Sequence, residues 1–242
     1  MTFFILGLTL RQLLFRKSTL LLVALGFIPV LIAVVFNLSD PDTDPQRWTA
    51  RMLTAIVVTG VLPLTALMFG VSALGDELED GTAVYLLTKP LQRWQVLVPK
   101  VAAPWLLTSA FVFTAAVVSG FIALGEFSAL AWGFAVASVI GALAYSAVFV
   151  LLSIVTTRAL VAGLIYVFIW EGALTGIFEG LRNLSIRHYT LGIAEWLADT
   201  APATFDASLS GTTAIIMVSV VTVAAALFAN RKLEEIEVRE AA

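Results

Sequence analysis

Residues 18–39 read STLLLVALGFIPVLIAVVFNLS, an apolar run that lies between Lys17 and Asp40 and carries no charge. An α-helix needs about 20 predominantly apolar residues to cross the hydrocarbon core of a bilayer. The 22 residues of this run meet that requirement. The run therefore predicts a helix that crosses a membrane once.

Five further blocks of the same kind follow along the chain. Four carry no charge (52–75, 101–125, 127–157 and 207–230), and a fifth, 159–178, is interrupted only by Glu171. Each block is long enough to cross a membrane once and too short to cross it twice. The chain is therefore predicted to be an all-α membrane protein in which residues 1–242 form a single transmembrane domain. Its six predicted spans are about 19–36, 52–74, 101–124, 129–156, 159–178 and 209–229.

The composition supports a membrane protein and excludes several other classes. Apolar residues make up 60% of the chain and charged residues 13%, against about 45–50% and about 25% in soluble domains. So few charges cannot cover a soluble core, which excludes a soluble enzyme and a disordered scaffold. The net charge of −3 argues against nucleic acid as a partner. The chain has no Cys and one His, His188, so disulfides and thiolate metal sites are excluded.

The basic residues predict which side of the membrane each loop occupies. Six spans place both termini on the same side. The N-terminal segment, the loop near residue 90, the turn at Arg158 and the C-terminal tail hold ten of the 14 Lys and Arg residues. Because cytoplasmic loops are enriched in Lys and Arg, both termini are predicted to be cytoplasmic. The first apolar run has no signal-peptide cleavage pattern and is interpreted as an uncleaved span.

Two segments outside the spans have helical patterns of their own. Residues 1–18 combine Phe and Leu with Arg11, Arg16 and Lys17, which predicts an amphipathic helix in the cytoplasmic interface, either a simple anchor or a functional element. In the outer segment 180–208, apolar residues recur at helical spacing, which predicts an interfacial or re-entrant helix between the fifth and sixth spans.

Sequence patterns for nucleotide binding or catalysis are missing from the chain. Gly70 and Gly75 have the glycine spacing of a phosphate-binding loop, but Asp76 and Glu77 follow where Lys and Ser or Thr are required. The chain has no zinc-protease motif and no nucleophile elbow. The acidic residues at 76, 77, 79 and 80 point in different directions around one helix, so a solvated surface facing a partner is favoured over a metal site. We predict no catalytic, cofactor or metal residues.

Glu171 is the one acidic residue inside a predicted span. A carboxylate at that depth is costly in lipid, so one interpretation places it toward a substrate pathway or an outer gate. The other interpretation is that the helix breaks near Gly172 and Glu171 caps the next helical piece. Gly172, Gly176 and Gly180 share one face of the fifth span, and Gly133, Ala137 and Gly141 share one face of the fourth. Both faces predict close helix packing, either within one subunit or between two.

The longest predicted cytoplasmic connection is 75–100, with the sequence GDELEDGTAVYLLTKPLQRWQVLVPK. Gly81 can end the first helical stretch, and Lys89 before Pro90 is disfavoured in the α region. Pro90 suits the first turn of a new helix. The segment therefore predicts a helix, a turn and a second helix that leads into the third span.

These residues resemble the cytoplasmic loop of ABC-2 type transporter permeases. The likeness rests on the acidic run followed by Glu79-Asp80-Gly81-Thr82, on the Lys89-Pro90 pair and on Arg93, Trp94 and Lys100. Lys89 stands where the family commonly has Arg, and Pro99 stands where Gly often precedes the lysine. The motif covers about 26 residues, whereas the span count, the interfacial N-terminal helix and the long last outer segment match the family over the whole chain.

The resemblance implies a permease subunit of a bacterial inner-membrane ABC transporter, functioning as an exporter. It implies a dimer with a second, identical or related permease, and a separate ABC ATPase that holds ATP and Mg²⁺. It also implies that the loop 75–100 couples the permease to that ATPase. The residues that would do so are Asp76, Glu77, Glu79, Gly81, Thr82, Pro90, Arg93 and Trp94. Two alternatives remain open from the sequence: a lipid-modifying membrane enzyme that uses the acidic cluster 76–80, and a non-transporting anchor or sensor subunit.

Overall fold

The computed structural model describes residues 2–39, 43–79, 93–198 and 204–240, and gives only the backbone for 2–3, 76–79 and 236–240. These ranges contain no strand. Six helices in them are long and apolar enough to cross a membrane. The predicted all-α fold with six spans is therefore confirmed.

One short helix precedes the first span, and three further spans follow along the chain. This helix is α1 (Thr2–Leu14), and the first span is α2 (Lys17–Leu38). The second span is continuous and consists of α3 (Pro45–Met52), a π-helical segment (Leu53–Val61) and α4 (Leu62–Glu79). The third and fourth spans are α5 (Arg93–Leu124) and α6 (Ala129–Val155).

The rest of the chain forms two spans with a shorter helix between them. The fifth span consists of α7 (Ala159–Ile165), a π-helical segment (Tyr166–Leu174) and the short α8 (Thr175–Ile177). A 3-10 turn (Glu179–Leu184) then leads into α9 (Ile186–Ala198), and the sixth span lies in α10 (Gly211–Glu240).

Polar side chains and one glycine determine where several spans begin and end. Asp44 accepts the backbone N–H of Gln46 at 3.0 Å at the start of the second span. Ser128 accepts the N–H of Ala131 at 3.2 Å at the start of the fourth. Both are N-caps, which satisfy backbone donors that a helix start leaves free. The third span ends at Gly125, whose φ of +72° is a conformation that favours glycine.

Two spans begin earlier than the apolar blocks predict. The second begins at Pro45 rather than at 52, and the third begins at Arg93 rather than at 101. In both cases polar and basic residues extend the helix beyond its apolar part. Hydropathy locates the part of a helix that suits lipid, whereas backbone hydrogen bonding continues until a cap or a break.

Two clusters of buried apolar side chains define the two ends of the bundle. At one end, called here the α1 end, α1 packs with the first, second, third, fourth and sixth spans through Leu13, Leu22, Leu74, Leu97, Ile154 and Leu233. The larger cluster lies toward the opposite end, called the α9 end, where Phe36, Leu53, Phe134 and Ile193 are among its members. Leu13 and Leu233, near the two ends of the described chain, belong to the cluster at the α1 end, as do Leu74 in α4 and Leu97 in α5.

Helix α9 is inserted among the spans and does not lie flat on their surface. Its residues 188–194 are all buried, and it packs against the fourth and sixth spans. Glycines allow this approach. A Cβ on Gly133 would lie 2.8 Å from the backbone nitrogen of Ala198, and a Cβ on Gly192 would lie 2.6 Å from the carbonyl oxygen of Leu209. The burial of α9 among the spans agrees with a re-entrant helix, and its placement in the membrane stays a prediction.

Candidate functional site

The first site is built around Glu171, which lies in the π-helical segment of the fifth span. Its side chain is only 2% exposed, so it faces neither lipid nor solvent in the described part of the chain. A buried carboxylate needs hydrogen-bond donors to offset the loss of hydration. The residues around Glu171 supply them from two different elements.

Each carboxylate oxygen of Glu171 accepts one hydroxyl and one backbone N–H. The Tyr166 hydroxyl donates to Oε1 at 2.7 Å, and the N–H of Ile186 donates to the same oxygen at 3.0 Å. The Ser185 hydroxyl donates to Oε2, as does the N–H of Arg187 at 3.4 Å. The carboxylate therefore joins the fifth span to the first residues of α9.

The position of the carboxylate matches the electrostatics of a helix start. Ile186 and Arg187 are the first two residues of α9, where backbone N–H groups have no partner within the helix. The positive end of the helix dipole also favours a negative charge there. Ser185 caps the same helix, since its hydroxyl oxygen accepts the N–H of His188 at 3.3 Å.

Further polar groups enclose the site. The guanidinium of Arg187 donates through Nη1 to the backbone oxygen of Glu171 at 3.2 Å, and the Thr175 hydroxyl donates to that same oxygen at 2.8 Å. Tyr145, fully buried on the fourth span, lies near the carboxylate, but its hydroxyl makes no hydrogen bond among the described residues. The hydrogen bonds of this network therefore join the fifth span to the start of α9.

His188, on the first turn of α9, extends this network and is held neutral. Burial, together with the smaller effect of the nearby positive charges of Arg187 and Arg182, lowers the pKa of its imidazole from 6.5 to about 4. Its Nδ1 lies 3.0 Å from the Ser185 oxygen. Because the hydroxyl proton of Ser185 is donated to Glu171, Nδ1 must be the protonated ring nitrogen.

The geometry bears on both interpretations of Glu171. The helix does not break at Gly172 but continues as a π-helix to Leu174, and the helix that Glu171 caps is α9. The capping interpretation therefore agrees with the contacts, although the capped helix lies farther along the chain than expected. A role of Glu171 in a pathway or outer gate stays a prediction.

The two glycine faces differ in what they contact. A Cβ on Gly172 would meet only the Val167 carbonyl oxygen, at 3.5 Å, and Gly176 and Gly180 have nothing within 4 Å in the described part of the chain. Gly133 and Gly141 on the fourth span instead receive α9. Close packing within this chain thus occurs on the fourth span, and packing of the fifth-span glycines against a second copy stays a prediction.

The second site is the predicted coupling loop at the α1 end. Asp76, Glu77 and Glu79 occupy the last turns of α4, where only the backbone is described, and Gly81, Thr82 and Pro90 lie outside the described residues. Arg93 and Trp94 form the first turn of the third span. Arg93 is buried, whereas the Trp94 side chain is half exposed.

Lys100 joins the two helices on either side of this loop. Its side chain is 1% exposed, and its Nζ donates a hydrogen bond to the backbone oxygen of Ala73 in α4 at 2.8 Å. A buried ammonium group is costly unless it is hydrogen-bonded. In the sequence Lys100 stands out only as part of the family motif, and this contact cannot be predicted, since nothing local shows which side chains face a neighbouring helix.

Neither site resembles a metal centre among the described residues. No three His, Asp or Glu side chains come together in ranges 4–39, 43–75, 93–198 and 204–235. The oxygens of Glu171 are occupied by protein donors. The one local signal that was overlooked is Ser185, a typical N-cap residue directly before the apolar residues of α9.

Comparison with known protein families gave one extensive match. The family model described as ABC-2 family transporter protein matches residues 5–233, which include all six spans and α9. A search of curated proteins found no match for this chain.

Proposed function

Since the chain belongs to the ABC-2 family of transporter proteins, we propose that it forms the substrate pathway of an ATP-driven exporter as a dimer. As a member of this family it is a multi-pass membrane protein and a transporter permease subunit. Such a subunit is not itself catalytic, which disfavours the alternative of a lipid-modifying enzyme. Family membership likewise favours a transporter over a non-transporting anchor or sensor.

The observation that carries the proposal is the extent of the family match. Residues 5–233 include every span, so the match covers the whole membrane domain and is not confined to the motif at 75–100. Family membership implies association with an ABC ATPase and with the membrane. ATP and Mg²⁺ would bind to that partner subunit.

We place the ATPase at the α1 end, against the loop 75–100. Support comes from the distribution of Lys and Arg, which predicts that this end is cytoplasmic. The loop also joins the second and third spans, which are among the most buried of the six. A movement of the loop would therefore be transmitted to helices in the interior of the bundle. ATP binding would favour one arrangement of the spans over another.

The proposed dimer is supported by uneven burial of the spans. Within the chain, the first, fifth and sixth spans are 28%, 22% and 22% buried, whereas the other three are 50–61% buried. Gly176 at the end of the fifth span and Gly180 in the 3-10 turn that follows it, rather than on the same helix as the sequence predicts, also have nothing of the described chain within 4 Å of an added Cβ. A second copy packed on this side would use the small-residue face.

The experiment that tests the proposal is reconstitution with candidate ATPases. The tagged chain is coexpressed with each ABC ATPase of its source organism, and complexes are purified and placed in liposomes. We expect one ATPase to copurify in equal amounts and to drive ATP-dependent movement of a compound in a substrate screen, with a bacterial inner membrane as the native location. Absence of a stable complex with every ATPase would contradict the proposal.

A further inference from the structure

The base of the loop 75–100 contains a buried contact that the proposed function does not by itself explain. Lys100 lies in the third span and Ala73 in the second, so the two residues bracket the loop. The Nζ of Lys100 reaches the backbone oxygen of Ala73 at 2.8 Å. This contact crosses between the two helices that would receive any movement of the loop.

Buried apolar side chains near Lys100 strengthen its hydrogen bond to Ala73. Ala73 and Leu74 on the second span and Leu97 and Ala103 on the third belong to the same buried apolar cluster, and none is more than 4% exposed. In such surroundings a hydrogen bond from a charged group is strong, and breaking it leaves a buried charge with fewer partners. Near Lys100, the second and third spans are thus joined both by apolar packing and by the hydrogen bond from the Lys100 ammonium group.

The backbone of the third span is weakened on both sides of Lys100. Proline lacks an N–H group, so Pro99 and Pro104 each remove one hydrogen bond from the interior of this helix. Helices bend most readily at such positions. Residues 93–103, which precede the second of these prolines and include Lys100, are therefore a segment that can bend away from the rest of the third span.

We propose that Lys100 is a positioning residue that makes the cytoplasmic ends of the second and third spans move as one body when the loop moves. The inference rests on the proposed function, because it assigns a role within coupling to the ATPase. Without the contact of Lys100, residues 93–103 could bend at the prolines independently of the second span while the remainder of the third span stayed in place. The movement of the loop would then be lost at the base of the helix.

Three substitutions distinguish the effect of the charge and hydrogen-bond donors of Lys100 from the effect of its side-chain length. Lys100→Met keeps the chain length and removes the charge and the donors, whereas Lys100→Arg keeps a cationic donor. Lys17→Met makes the same chemical change at an exposed lysine and is the matched control. If Lys100→Met does not accumulate in membranes, Lys100→Gln, which keeps a neutral donor, replaces it.

The measurement is the distance between two spin labels on either side of the contact. The chain has no Cys, so single labels can be placed at Ser72 on the second span and Val98 on the third. Electron paramagnetic resonance is recorded for the complex without nucleotide and in the ATP-trapped state. We expect one narrow distance distribution in both states for the parent chain, for Lys17→Met and for Lys100→Arg.

Lys100→Met is expected to give a broader distribution without nucleotide and a different one in the ATP-trapped state, while the complex still hydrolyses ATP. A distribution as narrow as that of the parent chain in both states would overturn the inference. The nucleotide-free comparison needs no ATPase. A failure of Lys100 to join the two helices would therefore overturn the inference by itself, whereas the absence of any bound ATPase would refute the proposed function.

Discussion

The carboxylate of Glu171 accepts the backbone N–H of Ile186 at 3.0 Å, which fastens the first turn of α9 to the π-helical segment of the fifth span. The two residues are fifteen positions apart and lie in different elements. The contact therefore holds an inserted helix in its place among the spans. Its removal should affect where α9 sits before it affects the spans themselves.

Substitution of Glu171 tests this role. In Glu171→Gln one oxygen becomes an NH₂ group, which cannot accept the N–H of Ile186 or Arg187, so one buried backbone donor loses its partner. We expect a loss of about 1–3 kcal/mol in the free energy of unfolding in detergent, and a larger loss for Glu171→Leu. Glu179→Gln, at a carboxylate that is 84% exposed, is the control and should change little. Equal stability of Glu171→Leu and the parent chain would refute the role.

The two glycine faces allow a matched pair of substitutions. A Cβ on Gly133 would lie 2.8 Å from the backbone of Ala198, which cannot move as a flexible side chain can, whereas Gly176 has open space within the chain. We expect Gly133→Ala to destabilise the chain by about 1–3 kcal/mol through overpacking and Gly176→Ala to leave the monomer unchanged. Thermal unfolding in detergent measures both. A larger loss of stability in Gly176→Ala than in Gly133→Ala would contradict the packing of α9 on the fourth span.

Gly176 also allows a test of the proposed dimer. A bulky residue in Gly176→Trp should lower the fraction of dimer, measured by crosslinking in membranes, without changing the stability of the monomer. If the dimer fraction is unchanged by Gly176→Trp, the face that carries Gly176 and Gly180 is not the interface.

His188 is predicted to remain neutral to low pH. It is the only His of the chain, so its imidazole signal in a nuclear magnetic resonance titration is unambiguous. We expect a pKa of about 4 in the folded protein, compared with 6.5 when unfolded. Because the unfolded state binds the proton first, the free energy of unfolding should rise with pH between these two values. His188→Gln should remove that part of the pH dependence. A folded-state pKa near 6.5 would show that His188 is not buried as described.

The orientation of the chain can be tested in intact cells. Single cysteines in Gln92→Cys and Ser208→Cys are treated with an impermeant thiol reagent, and the Cys-free parent is the background control. We expect labelling of Ser208→Cys in intact cells, and of Gln92→Cys only after the cells are opened. The opposite pattern would place the α1 end outside and remove the basis for an ATPase there.

The number of spans could be predicted because the signal is local. Uncharged blocks such as 18–39 and 52–75 reveal spans by length and apolarity alone. The two π-helical segments could not, because residues 53–61 and 166–174 are apolar, as membrane-spanning α-helices are too. Their backbone geometry depends on neighbouring helices, which composition does not describe.

The candidate sites could likewise be predicted from the sequence only in part. The cost of burying a carboxylate correctly marks Glu171 as unusual, but its partners Tyr166, Ser185 and Ile186 depend on where α9 is inserted. Similarly, Gly133 and Gly176 belong to sequence patterns of the same kind. Only the tertiary arrangement shows that α9 packs on the former and that the latter has nothing of this chain beside it.

The central claim, that loop 75–100 receives the ATPase, is tested most directly by site-specific photocrosslinking. A photoreactive amino acid replaces Glu79, Gln92 or, as a control at the α9 end, Ser208, and the complex is irradiated in membranes. We predict crosslinks to the ATPase from positions 79 and 92 and none from 208. Crosslinks from Ser208 alone, or from none of the three in a complex that still copurifies, would contradict the claim.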